Sequence, residues 1–224
     1  MSIIELIVFD WDGTLMDSES CIVAAMRMAY EQLGVRSPSY ESVRDIIGLS
    51  LDDAIRDMTP NLSATQIEQI AANYRKNFTS QVEPPALFPG VRNTLIELHG
   101  SGYQLAVATG KSQAGLARAI DESGLLGLFA STRAADQSAP KPSPLMLHEI
   151  LGELNVDARS AIMIGDTTFD LEMARAAPLR YGAVTYGAHP VGRLAAYNPA
   201  FILNHFDHLT HELTTLNKAD GSRS

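Results

Sequence analysis

The stretch VFDWDGTLMDS, residues 8–18, ends a short apolar run with two aspartates that are two positions apart. Alternate side chains of an extended chain point the same way, so Asp10 and Asp12 leave the strand on one side and Trp11 on the other. Two carboxylates that close together repel each other unless they share a cation or one of them keeps its proton. The stretch therefore predicts a charged site at the end of a buried strand.

Apolar runs of the same kind recur along the chain. They lie at residues 3–9, 103–108, 160–164, 182–186 and 200–203, with a weaker one near Leu128 to Thr132. Helix-like stretches follow the first four strong runs, and this alternation is typical of a parallel sheet that is covered by helices on both faces. We therefore expect an α/β fold with a doubly wound parallel sheet.

The segment between the first two strong runs is far longer than an ordinary crossover, and its pattern is helical. Apolar side chains recur at helical spacing from Ile22, and Ser63 with Gln66 forms a capping box that predicts the start of another helix. A helical segment of this length can pack on itself as an insertion. We expect residues 1–14 and 89–217 to form the α/β core, residues 15–88 to form a helical cap domain, and residues 218–224 to be a disordered tail.

Composition excludes several classes of protein. The chain has 224 residues, a formal net charge of −9 and one cysteine. The acidic balance disfavours broad binding to nucleic acid or to an anionic membrane, and the lone Cys21 excludes an internal disulfide framework. We expect a cytoplasmic protein with no nucleic-acid or membrane partner, and the sequence leaves the oligomeric state open.

Polar residues follow several of the predicted strands, where ligands bind in open parallel sheets. Thr109 and Gly110 end the second strong run, Lys141 lies in PKPSP, and Asp166 and Asp170 lie in GDTTFD. A hydroxyl, a free backbone N–H and an ammonium group suit a phosphate, whereas clustered carboxylates suit Mg²⁺. Together with the aspartates of the first strand, these residues predict a phosphate site that contains Mg²⁺.

Four short motifs carry a resemblance to a known family. DWDGT (10–14), ATG (108–110), KPSP (141–144) and GDTTFD (165–170) resemble, in that order, the signature motifs of the haloacid dehalogenase-like (HAD) hydrolase superfamily. The helical insertion resembles the cap of the phosphoglycolate phosphatase-like subfamily. The resemblance implies a Rossmann-like core with an inserted cap, and a magnesium-dependent phosphatase that acts on a small phosphorylated substrate.

The resemblance also implies a role for individual residues. Asp10 would be the nucleophile that forms an aspartyl-phosphate, and Asp12 would protonate the leaving oxygen and then activate water. The implied Mg²⁺ ligands are the Asp10 carboxylate, the Asp12 backbone carbonyl and Asp166, with Asp170 in support. The residues implied to bind the phosphoryl group are Thr109 and Lys141.

Substrate choice is expected to depend on the insertion. The stretch IIGLSLDD, residues 46–53, combines a glycine with short polar residues that suit a turn near the cleft. We therefore expect Gly48, Leu49 and Ser50 to contribute to specificity. Phosphoglycolate, a sugar phosphate, a nucleoside monophosphate and pyrophosphate all remain possible substrates.

The same motifs also allow functions other than that of a phosphatase. A dehalogenase needs no second aspartate, so Asp12 argues against one. A phosphomutase, a pyrophosphatase or a nucleotidase of the same superfamily remains an alternative, although residues 15–88 lack the histidine expected in the cap of a phosphomutase. A phospho-aspartate receiver module is the alternative that is not an enzyme, but such modules are about half as long and have no cap.

Several residues match the pattern of a binding site only in part, and we expect them to have no such role. TGKS, residues 109–112, lacks the earlier glycine of a nucleotide P-loop, and we expect Lys111 to be a solvated lysine. We expect His189 to be a loop residue first and a residue at the edge of the site second. We expect His205, His208 and His211 to lie on a polar helical surface and not to form a metal site.

Overall fold

A computed structural model describes residues 3–81 and 83–221 and contains one large parallel sheet. The strands in chain order are β1 (Leu6–Phe9), β2 (Met16–Asp17), β3 (Ala86–Leu87), β4 (Gln104–Thr109), β5 (Ser131–Ala134), β6 (Ala161–Gly165), β7 (Arg180–Val184) and β8 (Ile202–Leu203). In the described part of the chain the sheet order is β5-β4-β1-β6-β7-β8, with every neighbouring pair parallel. The predicted α/β class is confirmed, including the weaker strand, which is β5.

Beyond residue 86 the helices alternate with the strands, and four further helices lie in succession between β2 and β3. In chain order they are α1 (Glu19–Gln32), α2 (Tyr40–Arg44), α3 (Leu51–Met58), α4 (Ala64–Thr79), α5 (Val91–Gly100), α6 (Gln113–Glu122), α7 (Leu145–Leu154), α8 (Thr168–Ala176), α9 (Val191–Ala195) and α10 (Leu209–Gly221), with short 3₁₀ turns at Ala158–Ser160 and Phe206–His208. Helix α10 continues to Gly221, beyond the predicted start of a disordered tail at residue 218, and the last residues of that predicted tail, 222–224, lie outside the described residues. No helix among the residues described is long and apolar enough to cross a membrane.

Alternation along β1 explains why both faces of the sheet are covered. Ile7 and Phe9 point into one apolar cluster, which includes residues of α5, α6 and α10, while Leu6 and Val8 point into another, formed with α7 and α8. All four side chains are fully buried. A strand that is buried on both faces consists of a continuous apolar run, which is why the apolar run in the sequence correctly predicted β1.

Helices α1 to α4 occupy residues 19–79, and we call this segment the helical insertion. Its buried side chains form a cluster of their own, in which α1 packs on α4. The capping box predicted at Ser63 and Gln66 is present at the start of α4. The short strands β2 and β3, which lie on either side of the insertion, pair antiparallel with Met16 opposite Leu87. The chain therefore leaves and re-enters the region of the sheet at one place, next to the end of β1.

Candidate active site

Asp10 follows the last residue of β1 and lies at the centre of the site. Its side chain is buried, and the Nζ atom of Lys141 lies 2.7 Å from its Oδ1 atom. Neither carboxylate oxygen accepts a well-directed hydrogen bond from any residue that the structure describes. Buried polar atoms are almost always hydrogen-bonded, so this carboxylate, whose Oδ1 atom is ion-paired with Lys141, keeps unused lone pairs that suit an electrophile or a cation.

Lys141 is a buried lysine held between two carboxylates. Its Nζ atom lies 2.7 Å from Asp10 and donates a hydrogen bond of 2.6 Å to Oδ1 of Asp170. Burial by itself lowers the pKa of Lys141, but the two carboxylates overcome that effect and raise it above its usual value. The other Asp170 oxygen accepts hydrogen bonds from the N–H and the hydroxyl of Thr167, at 3.0 and 2.8 Å, so Asp170 supports Lys141 at the start of α8.

Asp166 lies just after β6 and is also buried. Its oxygens accept hydrogen bonds from the Thr14 hydroxyl and from the backbone N–H of Ala188, each at 2.8 Å. Gly13 has a φ angle of +81°, and a Cβ atom there would lie 2.2 Å from Oδ2 of Asp166, so only glycine fits. Burial, and after it the charge of Asp170, raises the pKa of Asp166 to about 7.

The carboxylates of Asp10, Asp166 and Asp170 form a compact acidic cluster whose candidate ligand atoms all lie within 4.8 Å of one another. Burial raises the pKa of Asp10 well above its usual value, since its charged form is desolvated and also repelled by the other two groups. A hard divalent cation would offset both costs, and the two Asp10 oxygens without hydrogen bonds are open to it. The residues present therefore fit the predicted Mg²⁺.

The Asp12 carboxylate is not a member of this cluster and has partners of its own. The Ser18 hydroxyl donates to its Oδ1 atom at 2.6 Å, and Lys111 Nζ lies 3.0 Å from each of its two oxygens. Phe78 of α4 covers the same ammonium group, 4.7 Å from its ring centre. The prediction of a solvated Lys111 is wrong, because its side chain is only 11% exposed and is paired with Asp12.

Thr109 and Gly110 lie at the carboxyl end of β4, next to the insertion. Thr109 is buried, and its hydroxyl accepts the backbone N–H of Lys111 at 3.2 Å. A Cβ atom at Gly110 would lie 2.4 Å from the carbonyl oxygen of Leu49 and 2.6 Å from that of Gly48. The glycine therefore permits a close approach between the sheet and the insertion.

Gly48, Leu49 and Ser50 line the cleft between the sheet and the insertion, together with Asp10, Asp12 and Lys111. The volume of this cleft is about 1010 Å³. The Ser50 side chain also caps α3 by accepting the backbone N–H of Asp53 at 3.3 Å. The structure thus brings the expected specificity residues to the same cleft as the aspartates, while their role in specificity stays a prediction.

His189 lies in the loop between β7 and α9, as the sequence predicts, but it is not a surface residue. It is fully buried, and its Nδ1 atom accepts the backbone N–H of Thr168 at 3.0 Å. Its Nε2 atom lies 3.2 Å from the carbonyl oxygen of Asp45, a residue of the helical insertion. The histidines expected on the polar surface, His205, His208 and His211, are exposed.

Three residues that bond to the aspartates of the site were not predicted to belong to it: Thr14, Ser18 and Lys111. A signal existed for Lys111, because it comes two positions after the end of a strand, where ligand-binding residues lie in open parallel sheets. The local sequence pattern of Thr14 is that of a turn, and the pattern of Ser18 is that of a helix start. Ser18 is the N-cap residue that precedes α1, but its hydroxyl makes no capping hydrogen bond and donates to Asp12 instead.

Comparisons with known proteins agree with the geometry. The family model described as haloacid dehalogenase-like hydrolase matches residues 7–184, which include all four predicted motifs. A Dickeya dadantii protein named "Probable phosphatase IndB" is 35% identical over 222 residues, which cover 97% of this chain and 96% of that one. A phosphoglycolate phosphatase of Vibrio parahaemolyticus is 30% identical over 215 residues, with coverage of 92% and 94%.

A solved structure extends the agreement to three dimensions. It is that of a haloacid dehalogenase-like family hydrolase from Streptococcus pneumoniae, which is 28% identical and superposes with a TM-score of 0.81. The match covers 96% of this chain and 98% of that one. The predicted resemblance is confirmed, and the chain belongs to the haloacid dehalogenase-like hydrolase family.

Proposed function

We propose that this protein is a magnesium-dependent phosphatase that hydrolyses a small phosphorylated metabolite through an aspartyl-phosphate on Asp10. The observation that carries the proposal is the Asp10 carboxylate, which is buried, is ion-paired with Lys141 at 2.7 Å and keeps lone pairs that no well-directed hydrogen bond from the described residues uses. A nucleophile needs such a free oxygen, and a phosphoryl group needs a cation beside it.

Residues of the acidic cluster would hold the metal. Asp10, the backbone carbonyl of Asp12 and Asp166 would bind Mg²⁺, which when bound neutralises the charge of the phosphate. Asp170 would act mainly through Lys141, because its oxygens already accept hydrogen bonds from Lys141 and Thr167.

The side chains then divide the reaction into two displacements. An oxygen of Asp10 attacks phosphorus, and its new bond forms as the bond from phosphorus to the leaving oxygen breaks. Asp12 gives a proton to that leaving oxygen. Water next attacks the aspartyl-phosphate and gives a proton back to Asp12, while the bond between phosphorus and Asp10 breaks and inorganic phosphate leaves.

The transferring phosphoryl group would be bound by the end of β4 and by Lys141. The Thr109 hydroxyl and the Gly110 backbone N–H are donors, and the Lys141 ammonium supplies charge from a buried position beside Asp10. Charge-assisted hydrogen bonds of this kind are the strong ones. Lys141 would also keep Asp10 oriented for attack.

The helical insertion would act as a cap that closes the cleft and selects the leaving group. Its residues Gly48, Leu49 and Ser50 lie on the cleft wall, opposite the end of β4. The relative from Vibrio parahaemolyticus is named a phosphoglycolate phosphatase, which makes phosphoglycolate the first substrate to test.

Phosphate release from a panel of substrates tests the proposal. The panel contains phosphoglycolate, sugar phosphates, nucleoside monophosphates and pyrophosphate, each with Mg²⁺ and with EDTA. We expect catalytic turnover of at least one phosphate monoester that requires Mg²⁺ and is lost in Asp10→Asn. Asp121→Asn, an exposed aspartate on α6, is the matched control and keeps wild-type turnover.

Each competing function has its own outcome in that panel. Turnover of pyrophosphate or of nucleotides alone would favour a pyrophosphatase or a nucleotidase. Isomerised sugar phosphate without phosphate release would indicate a phosphomutase, and a single phosphoryl group retained by each chain would indicate a receiver module. Wild-type turnover in Asp10→Asn would disprove the nucleophile.

A further inference from the structure

The segment Gly187–His189, which we call the 187–189 segment, packs directly against Asp166. The backbone N–H of Ala188 donates to Oδ2 of Asp166 at 2.8 Å, and that of His189 donates to its carbonyl oxygen at 3.3 Å. A Cβ atom at Gly187 would lie 2.3 Å from Asp166 Oδ2, so the backbone there touches the carboxylate. All three residues thus contribute to the position of Asp166.

The same three residues contact the helical insertion. The carbonyl oxygen of Gly187 accepts a hydrogen bond from Arg44 at 3.3 Å, and the Nε2 atom of His189 lies 3.2 Å from the carbonyl oxygen of Asp45. Ala188, at 1% exposure, belongs to the apolar cluster of the insertion, and it is the one buried member from outside residues 19–79 within the described chain. Every residue of the segment therefore contacts both Asp166 and the insertion.

Hydrogen bonding decides which tautomer of His189 makes this bridge. The backbone N–H of Thr168 donates to Nδ1, so the ring hydrogen is on Nε2, which donates to the Asp45 carbonyl. The ring also packs on Phe169, with 5.4 Å between centroids. A single buried imidazole thus joins the first turn of α8, which follows Asp166, to the insertion.

We propose that His189 is a positioning residue that couples the position of the helical insertion to the geometry of Asp166. The position meant is the one described here, in which the insertion contacts the 187–189 segment, and we call it closed. The inference rests on the proposed function, in which Asp166 is a Mg²⁺ ligand. Coupling between two equilibria is reciprocal: closure of the insertion strengthens Mg²⁺ binding, and Mg²⁺ favours closure to the same extent.

Two measurements on the full-length protein test the coupling. The first is Mg²⁺ affinity by calorimetric titration. The second is energy transfer between dyes at Glu68→Cys on α4 and Glu97→Cys on α5, two exposed positions on the insertion and the core, in a Cys21→Ser background. In the otherwise wild-type protein we expect Mg²⁺ to shift the energy transfer toward one limiting value, that of the closed form.

His189→Phe keeps the ring and removes both hydrogen bonds. We expect it to weaken Mg²⁺ binding by about 10-fold or more, as substitutions behind a metal ligand do, and to reduce the Mg²⁺-induced shift in energy transfer. His189→Gln keeps an N–H donor for Asp45 and should recover part of both signals. His148→Phe, an exposed histidine on α7, is the control.

A second variant keeps the test sound if His189→Phe does not fold. Arg44→Met removes the contact with Gly187 from a side chain that is 39% exposed, so the fold should tolerate it. It should change both signals in the same direction as His189→Phe.

The outcomes separate this inference from the proposed function. If the wild type bound no Mg²⁺, both would be wrong. If it bound Mg²⁺ but the variants kept wild-type affinity, or lost affinity with an unchanged shift in energy transfer, the coupling alone would be wrong.

Discussion

A Cβ atom at Gly110 would lie 2.4 Å from the backbone carbonyl oxygen of Leu49. The contact joins the end of β4 to the wall of the insertion, and backbone atoms cannot move aside as a flexible side chain can. The sheet and the insertion therefore meet at a point that tolerates no side chain.

Gly110→Ala should push the insertion away from the cleft. Overpacking of this kind costs roughly 1–3 kcal/mol, so we expect kcat/KM for the best substrate to fall about 5-fold or more. Steady-state kinetics measures the effect. Gly152→Ala on α7, where a Cβ atom would meet nothing within 4 Å, is the control and should leave kinetics unchanged. Equal kinetics for both variants would show that the contact is not needed.

Lys141→Met should destabilise the protein in the absence of divalent cations. The substitution leaves the buried Asp10 and Asp170 without their shared ammonium group, and breaking a buried ion pair costs about 3–5 kcal/mol. Urea unfolding in EDTA at neutral pH measures the loss in the free energy of unfolding. Lys76→Met, at an exposed position on α4, should change it by less than about 0.5 kcal/mol. An equally small change for Lys141→Met would contradict the electrostatic account.

Mg²⁺ should raise the melting temperature of the protein, because it binds the folded acidic cluster and not the unfolded chain. At 100 times the dissociation constant the gain is about 2.7 kcal/mol. Thermal unfolding with Mg²⁺ and with EDTA measures the shift, which Asp166→Asn should largely remove. Asp121→Asn should retain it. A full shift in Asp166→Asn would exclude Asp166 as a ligand.

Lys111→Met should lower kcat/KM for a phosphate ester by about 10-fold or more, since a hydrogen bond to a charged group is worth roughly 1.5–3 kcal/mol. Lys111 pairs with both oxygens of Asp12 and faces the cleft, so its loss affects the orientation of the acid and the local charge. Lys111→Arg should retain part of the activity, and Lys76→Met all of it. Wild-type kinetics in Lys111→Met would show that the pairing with Asp12 is not needed for turnover.

Local patterns in the sequence predicted most of the fold. A strand that is buried on both sides needs a continuous apolar run, which is why the runs at β1, β4 and β6 were recognised, and the capping box at Ser63 marked the start of α4. Boundaries were less accurate. The strand β7 begins at Arg180, two residues before the predicted run, because pairing with β6 includes polar residues that an apolar run does not mark.

The amino-acid sequence by itself determined the α/β class, the helical insertion and the aspartates, threonine and lysine at the strand ends, since these depend on local periodicity and on residue type. Only the tertiary structure decided that Lys111 pairs with Asp12, 99 residues away, and that His189 meets Asp45, 144 residues away. Such contacts depend on how separate elements pack, and a lysine or a histidine in a loop has the same local pattern whether it is solvated or buried. The two aspartates of the opening stretch, and Lys141 beside Asp10, could therefore be predicted from the sequence, whereas Ser18 and Lys111, which hold Asp12, could not.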